Sequence, residues 1–275
     1  MPTVQSGDVD VYYEAAGSGR PIVWIPGTGL LGSCYAEQVS AFRDRHRCVT
    51  VDLRGSGQTM GGADGCTVAD MAADVAGLMD RLDLGPAHVV GFSLGSAVAQ
   101  ELALHRPDLV RSAVLLSTWS STQREHHVRR HFESRLYALE HGPLDVFGKF
   151  AFWMSAPSVV DDEPELQATV ENRLGGYTSA RLDGTAGHFR TDLRHDTRDR
   201  LRDIACPTLV VYGEEDLITL PSYNERVASL VPGAVVRRIP RAGHLAVFER
   251  PGELTRCIDE FLATVDAPAD ERTTS

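Results

Sequence analysis

Gly91-Phe92-Ser93-Leu94-Gly95 is the stretch on which the reading of the whole chain turns. It follows the apolar run Ala87-His88-Val89-Val90, which suits a strand, and it opens a helical segment from Leu94 to His105 that Pro107 ends. A G-x-S-x-G pattern between a buried strand and a helix demands a very tight turn. Small residues on either side let Ser93 adopt a strained backbone and lift its hydroxyl clear. The first amides of the next helix have no intrahelical acceptor and are aimed at developing negative charge. Alone, the pentapeptide also fits a glycine-rich turn. Its placement gives it meaning.

Outward from that turn, strands and helices alternate. Val9, Val11 and Tyr13 alternate with polar neighbours, as on a half-buried strand. Ile22-Val23-Trp24-Ile25, Cys48-Val49-Thr50-Val51 and Ala113-Val114-Leu115-Leu116 are apolar runs that suit strands covered on both faces. Between them a helix is expected from Thr67 to Leu84, started by a reciprocal cap of Thr67 with Asp70 and stopped by Gly85-Pro86. The rhythm returns with a strand at Pro207 to Tyr212, a helix at Pro221 to Leu230, a strand at Val235 to Ile239 and a helix at Gly252 to Val265. Such alternation implies an α/β fold, with a mostly parallel, eight-stranded-type sheet and helices on both faces. Residues 119–200 hold no convincing strand. They read as an all-helical cap, with helices over 124–140, 144–153, 163–174 and 178–189. The core is then 1–118 and 201–266, and 267–275 is a polar tail expected to be disordered.

A serine hydroxyl is a weak nucleophile and needs a base held by a third group. Two loops at the C-terminal ends of strands supply candidates, where open α/β sheets place their ligands. Gly213-Glu214-Glu215-Asp216-Leu217-Ile218 follows one strand, and Arg241-Ala242-Gly243-His244 follows the last. Ser93, Asp216 and His244 are therefore the expected catalytic set, with Glu214 or Glu215 as alternatives for the acid. The oxyanion site is expected to pair the amide of Leu94 with that of Thr28, in the glycine-rich loop Trp24 to Ser33. A phosphate loop is excluded there because no G-K-[S/T] follows. Gly17 and Gly19 precede their strand, so a dinucleotide fingerprint fails too. Asp52-Leu53-Arg54-Gly55-Ser56-Gly57 reads as structural, its Asp and Arg tying loops together beneath the pocket.

The expected pocket comprises Gly27, Gly29, Phe92, Trp119, Arg124, Phe150, Trp153 and Leu217. Trp119 directly follows a strand, which would put it at the mouth. Phe147, Phe150, Phe152, Trp153 and Met154 form an aromatic cluster, mostly packing, with some members facing the pocket. Arg124, Arg129, Arg130 and Arg135 make the first cap helix basic. A buried one would read a substrate carboxylate; otherwise they form a solvated face paired with Glu125, Glu133 and Glu140. His126, His127 and His131 could bind a metal by spacing, yet no H-E-x-x-H pattern accompanies them, and no metal is expected. Gly142, Gly148, Gly175, Gly176, Gly184 and Gly187 would permit a lid to move.

The net charge of −11 over 275 residues disfavours a phosphate backbone as partner, so no nucleic acid is expected. The five cysteines are scattered, without the spacing of a disulfide framework or zinc ribbon. No run is apolar enough to span a membrane, and the start lacks the look of a signal peptide. A cytoplasmic protein acting on a small molecule, without cofactor, is the expectation. A homodimer is compatible with the sequence, though no residue argues for it.

The elbow, the D-x-R-G-x-G loop at Asp52 to Gly57, the G-x-x-D loop ending at Asp216 and the Gly243-His244 pair together resemble the α/β-hydrolase superfamily over nearly the whole chain. In general look the chain is similar to small capped members: enol-lactonases, aminoacrylate/carbamate-type hydrolases, cofactor-free haloperoxidase-like esterases and C–C bond hydrolases. The resemblance implies attack by Ser93 on a carbonyl, proton relay by His244, orientation by Asp216 and release of the acid by water. An ester, thioester or lactone of a small to medium acid is the implied substrate. C–C cleavage of a β-diketone-like acid, which needs a carboxylate-binding arginine in the cap, and lactone-forming cyclisation are the alternatives. A non-catalytic receptor on the same fold is disfavoured by the intact set. Many members carry His-Gly where this chain has Pro26-Gly27, and His where it has Phe92.

Overall fold

The structure, a computed structural model, describes residues 2–59, 61–143, 150–174 and 179–267, with backbone only at 150–151 and 179–181. The apolar runs build the middle of an eight-stranded sheet made of β1 (Thr3–Ser6), β2 (Val9–Ala16), β3 (Arg20–Ile25), β4 (His46–Val51), β5 (Ala87–Phe92), β6 (Val110–Leu116), β7 (Thr208–Gly213) and β8 (Val235–Ile239). The order is β1-β2-β4-β3-β5-β6-β7-β8; β1 and β2 pair antiparallel and the rest run parallel.

Continuous apolar runs are needed because both faces are covered. Along β3, Val23 and Ile25 enter one hydrophobic cluster while Ile22 and Trp24 enter the other. The first face is covered by α2 (Val68–Arg81) and α3 (Leu94–His105), the second by α1 (Ala36–Phe42) and the C-terminal helix Pro251–Asp266. α2 begins as its sequence predicts: Thr67 Oγ1 accepts from Asp70 N at 3.2 Å, and Asp70 Oδ2 accepts from Thr67 N at 2.8 Å. Pro221–Leu230 forms the helix expected between β7 and β8. The sequence reading missed β1, α1 and the four-residue helix Ala246–Glu249.

Between β6 and β7 come α4 (His126–His141), a 3-10 turn at Phe150–Met154, α5 (Pro157–Asp162), α6 (Pro164–Leu174) and α7 (Ser179–Asp192). The helix expected over 144–153 falls largely outside the described residues; its described part is that 3-10 turn. The stems of this segment meet, since Thr122 N donates to His195 O and Thr197 N to Ser120 O, both at 2.9 Å. α7 lies hard against the Asp52–Gly57 loop. A methyl on Gly184 would overlap the Gly55 carbonyl and one on Gly187 would crowd Ala63. Both glycines therefore serve close packing, where mobility was expected; Gly148, Gly175 and Gly176 lie outside the described residues. Among the described residues, no helix is long and apolar enough to cross a membrane.

Candidate active site

β5 delivers Ser93 into the turn before α3 with φ 51° and ψ −118°. That left-handed backbone costs a non-glycine residue about 1–3 kcal/mol and survives only where its surroundings enforce it. They do. A methyl on Gly91 would overlap the Gly95 carbonyl, and one on Gly95 would overlap the carbonyl of Ile25. Ser93 N donates to Leu116 O at 2.9 Å, tying the turn to β6. Leu94 opens α3, so its N–H has no acceptor within the helix.

His244 and Asp216 reach Ser93 from the loops after β8 and β7. Ser93 Oγ lies 3.0 Å from His244 Nε2, and His244 Nδ1 lies 2.9 Å from Asp216 Oδ2. Asp216 Oδ1 also accepts from the N–H groups of Ile218 and Thr219 at 2.8 and 3.0 Å, and Oδ2 from Thr219 Oγ1 at 2.8 Å. A carboxylate surrounded by donors can only accept, so the proton of the imidazole sits on Nδ1. Nε2 then turns its lone pair to the serine hydroxyl. Of the alternative acids, Glu214 is exposed and Glu215 accepts from Ser158 N at 2.9 Å. All three residues of the relay are buried. The His244 loop is held by Glu249, which accepts from Gly243 N at 2.6 Å and Ala156 N at 2.8 Å. Burial pushes that carboxyl up, and the two backbone donors oppose the shift.

The loop after β3 is fixed from α7. Thr28 Oγ1 donates to Asp192 Oδ2 at 2.7 Å, and Gly29 N donates to His188 Nδ1 at 3.1 Å. His188 must then carry its proton on Nε2, which donates to Arg54 O at 2.8 Å. Burial lowers His188 to about 4 and raises Asp192 well above an ordinary carboxyl. His188 is accordingly neutral near pH 7. Asp52 ties loops as expected, accepting from Gly32 N at 2.9 Å and Gln58 N at 3.1 Å. Arg54 instead grips Asp74, with bonds of 2.6 and 2.7 Å.

Ser93 and His244 open into a cavity of about 40 Å³ between sheet and cap. That is room for about three waters, or a short acyl chain. Phe92 lines it as predicted, beside Thr28, the expected oxyanion donor, but much of its wall is α4, through His131, Phe132 and Arg135. Thr185 and Phe189 of α7 and Ile218 complete it.

Several predicted pocket residues lie elsewhere. Trp119 is one layer behind: wholly buried, its Nε1 donates to Thr122 Oγ1 at 2.8 Å and its ring packs on Phe132 and His195. Arg124 precedes α4, points to solvent and pairs with Asp199 at 2.6 and 2.9 Å. Trp153 is 48% exposed beside Phe152. Leu217 gives its carbonyl to His127 at 2.7 Å, and its neighbour Ile218 enters the cavity instead. Gly27 packs behind Phe92 and Ser93, and Gly29 turns toward His188. The side chain of Phe150 lies outside the described residues.

Arg129 and Arg130 do pair with Glu133 on the solvated face. Glu125 does not join them: it is buried and accepts from Ser120 and Ser121. Arg135 is buried, with its guanidinium 5.9 Å from the Phe189 ring centre. The signal for it was available. Val128, His131, Phe132 and Arg135 share three- and four-residue spacing, one helix face.

Residues 20–251 match the alpha/beta hydrolase fold family, and the chain belongs to it. It is 34% identical, over 94% of its own length and 100% of the relative's, to a Mycobacterium tuberculosis protein provisionally named non-heme bromoperoxidase BpoC. Among solved structures, it superposes on a thermophilic esterase from Thermogutta terrifontis with TM-score 0.84 and 26% identity, covering 96% and 97% of the two chains. It also matches Est816, described as an N-acyl homoserine lactone degrading enzyme, with TM-score 0.79 and 28% identity, covering 94% and 100%.

Proposed function

We propose that the protein is a serine hydrolase that cleaves an ester, thioester or lactone of a small to medium organic acid through an acyl-enzyme intermediate. The observation that carries this reading is the unbroken relay from Ser93 Oγ through His244 to Asp216, at 3.0 and 2.9 Å. Ser93 Oγ bonds to the substrate carbonyl carbon as its proton passes to His244 Nε2. Asp216 holds the imidazole and stabilises the imidazolium. The N–H groups of Leu94 and Thr28 receive the oxyanion; removing one such donor costs about 10²–10³ in rate. On collapse, the C–O or C–S bond breaks and the leaving group departs with the proton from His244. Water then loses a proton to His244 and attacks the acyl carbon, releasing the acid as Ser93 regains its proton.

Similarity to proteins described as an esterase and as a lactone-degrading enzyme supports these bond classes. The five free cysteines support a reducing, cytoplasmic setting. The test is intact mass after treatment with a small fluorophosphonate, on the native chain and on Ser93→Ala. One adduct on the native chain, lost in the variant, is expected. A native chain left unmodified by a probe small enough for the cavity overturns the reading.

A further inference from the structure

The cap wall of the cavity carries a polar ring that the relay does not use. His131 of α4 lines the cavity that holds Ser93 and His244. Other polar side chains on the wall are engaged. Thr28 Oγ1 donates to Asp192 Oδ2 at 2.7 Å, Ser93 Oγ lies 3.0 Å from His244 Nε2, and Arg135 and Thr185 have partners of their own. The His131 ring makes no hydrogen bond to any described residue. It packs edge-on against Phe132, with ring centres 5.9 Å apart and planes at 68°. Burial lowers its pKa well below the usual imidazole value, and the cationic forms of Arg135, His244 and His127 push the same way. The ring is therefore neutral at pH 7, one nitrogen a donor and the other an acceptor.

The position of its proton sets His131 apart. Asp216 fixes the proton of His244, and the Gly29 N–H and Arg54 carbonyl fix that of His188. Nothing comparable fixes it in His131, so the nitrogen that meets a ligand can present either an N–H or a lone pair. A hydroxyl pairs with both forms, because it donates and accepts. A carbonyl oxygen pairs with one of them only. A methyl pairs with neither and would leave the imidazole desolvated without a partner.

We propose that His131 is a specificity-determining residue of the acyl pocket, and that the substrate is a short ester, thioester or lactone whose acyl part carries a hydroxyl hydrogen-bonded to the His131 ring. This rests on the hydrolase reading for its bond-breaking step only. In a cavity of about 40 Å³ a short acyl chain meets the walls whichever way it turns. Leu30, Leu174 and Ile218 present hydrocarbon there. A hydroxyl turned to them goes unpaired, and one turned to His131 is satisfied.

The experiment compares two pairs of methyl esters in which a hydroxyl stands in place of a methyl group. They are methyl lactate with methyl isobutyrate, and methyl β-hydroxybutyrate with methyl isovalerate, the chiral esters taken as both enantiomers. The pairs put the hydroxyl on the first or the second carbon from the carbonyl. kcat/KM is measured on the wild type, on His131→Phe and His131→Leu, and on His131→Gln, which restores a donor and an acceptor. Folding is checked by circular dichroism, and the two apolar variants pack differently, so one that folds is enough. Binding of the same esters to Ser93→Ala and to Ser93→Ala/His131→Phe is measured by calorimetry, where no turnover is needed. The wild type is expected to prefer the hydroxy ester of at least one pair about 5- to 100-fold, the range for a buried polar group left without its partner. His131→Phe and His131→Leu should bring that ratio near one, and His131→Gln should fall between. A merely structural role for His131 would lower both esters of a pair alike. Wild-type ratios near one in both pairs overturn the subsite with no variant needed. A preference unchanged in a folded apolar variant overturns it as well, and leaves the hydrolase reading standing. If no ester is cleaved but a calorimetric preference for the hydroxyl is lost with His131→Phe, the subsite stands and the acyl-enzyme reading falls. No cleavage, with binding absent or indifferent to the hydroxyl, overturns both.

Discussion

Asp192 offers the sharpest test of how the proposed oxyanion loop is held. Its Oδ2 accepts from Thr28 Oγ1 at 2.7 Å, and among the described residues its Oδ1 has no hydrogen-bond partner. Asp192→Leu removes the acceptor and leaves the Thr28 hydroxyl unbonded, a penalty of about 1–3 kcal/mol. Against this, the variant no longer buries an acid, so the net change in stability should be smaller than that penalty. Activity should suffer more. Loss of one oxyanion donor costs about 10²–10³, and a loop loosened rather than removed should forfeit about 10- to 100-fold in kcat with KM little changed. Asp192→Asn behaves differently, because its carbonyl still accepts from Thr28. Burial raises the folded-state pKa of Asp192 well above the ordinary 3.8. Between those two values the folded chain holds a proton that the unfolded chain has released, so wild-type stability falls as pH rises. Asn has no such proton. The variant should gain on the wild type by about 1.4 kcal/mol per pH unit in that window. Urea denaturation of both at pH 5, 6 and 7, with ester turnover, reads the prediction. A pH-independent difference would show that the carboxyl is charged in the folded protein, and full kcat in Asp192→Leu would break the link between α7 and the oxyanion loop.

Gly95→Ala should destabilise the fold by at least about 3 kcal/mol, since its methyl would overlap the Ile25 carbonyl; a variant melting with the wild type refutes the elbow geometry. Burial lowers His195 to about 4, so the unfolded chain takes up a proton below pH 6.5 that the folded chain refuses. Its contribution of about 3 kcal/mol is present above pH 6.5 and lost as pH falls toward 4. The stability difference between wild type and His195→Gln should shrink over that range, and a constant difference would contradict the burial argument. Trp119→Phe should cost about 1–2 kcal/mol through loss of its bond to Thr122, without altering preference among short esters. A changed preference would return Trp119 to the pocket.

The middle of the sheet was legible because strands covered on both faces must be apolar along most of their length, as β3, β5 and β7 are. The relay was legible because Ser93, Asp216 and His244 each follow the C-terminal end of a strand, where chain order is visible without coordinates. β1 escaped because four residues pairing only at the sheet edge carry little pattern. The helix Ala246–Glu249 is a single turn, too short for periodicity to show. Trp119 misled for a different reason: position after a strand says where a residue starts, while its ring turned back to meet Phe132 and Thr122. Asp192 and His188 were invisible on principle. Thr185, His188, Phe189 and Asp192 lie on one face of α7 by spacing, and that face is buried. A reading that assigns polar faces to solvent places it outside.

That buried polar face also joins two jobs that are separate in the sequence. Thr185 and Phe189 line the cavity, while His188 and Asp192, on the same helix, hold Gly29 and Thr28. Gly184 brings the helix against Gly55, and His188 also binds the Arg54 carbonyl, so α7 is locked to two core loops at once. Any outward shift of α7 large enough to enlarge the cavity must stretch the bonds to Thr28 and Gly29 in the same movement. On the proposed reading, the covering of the substrate and the shaping of the loop at Thr28 and Gly29 are therefore one event. It follows that Asp192→Leu should slow fluorophosphonate labelling of Ser93 even though the relay to His244 and Asp216 is untouched. Undiminished labelling would mean that the loop keeps its shape without the helix.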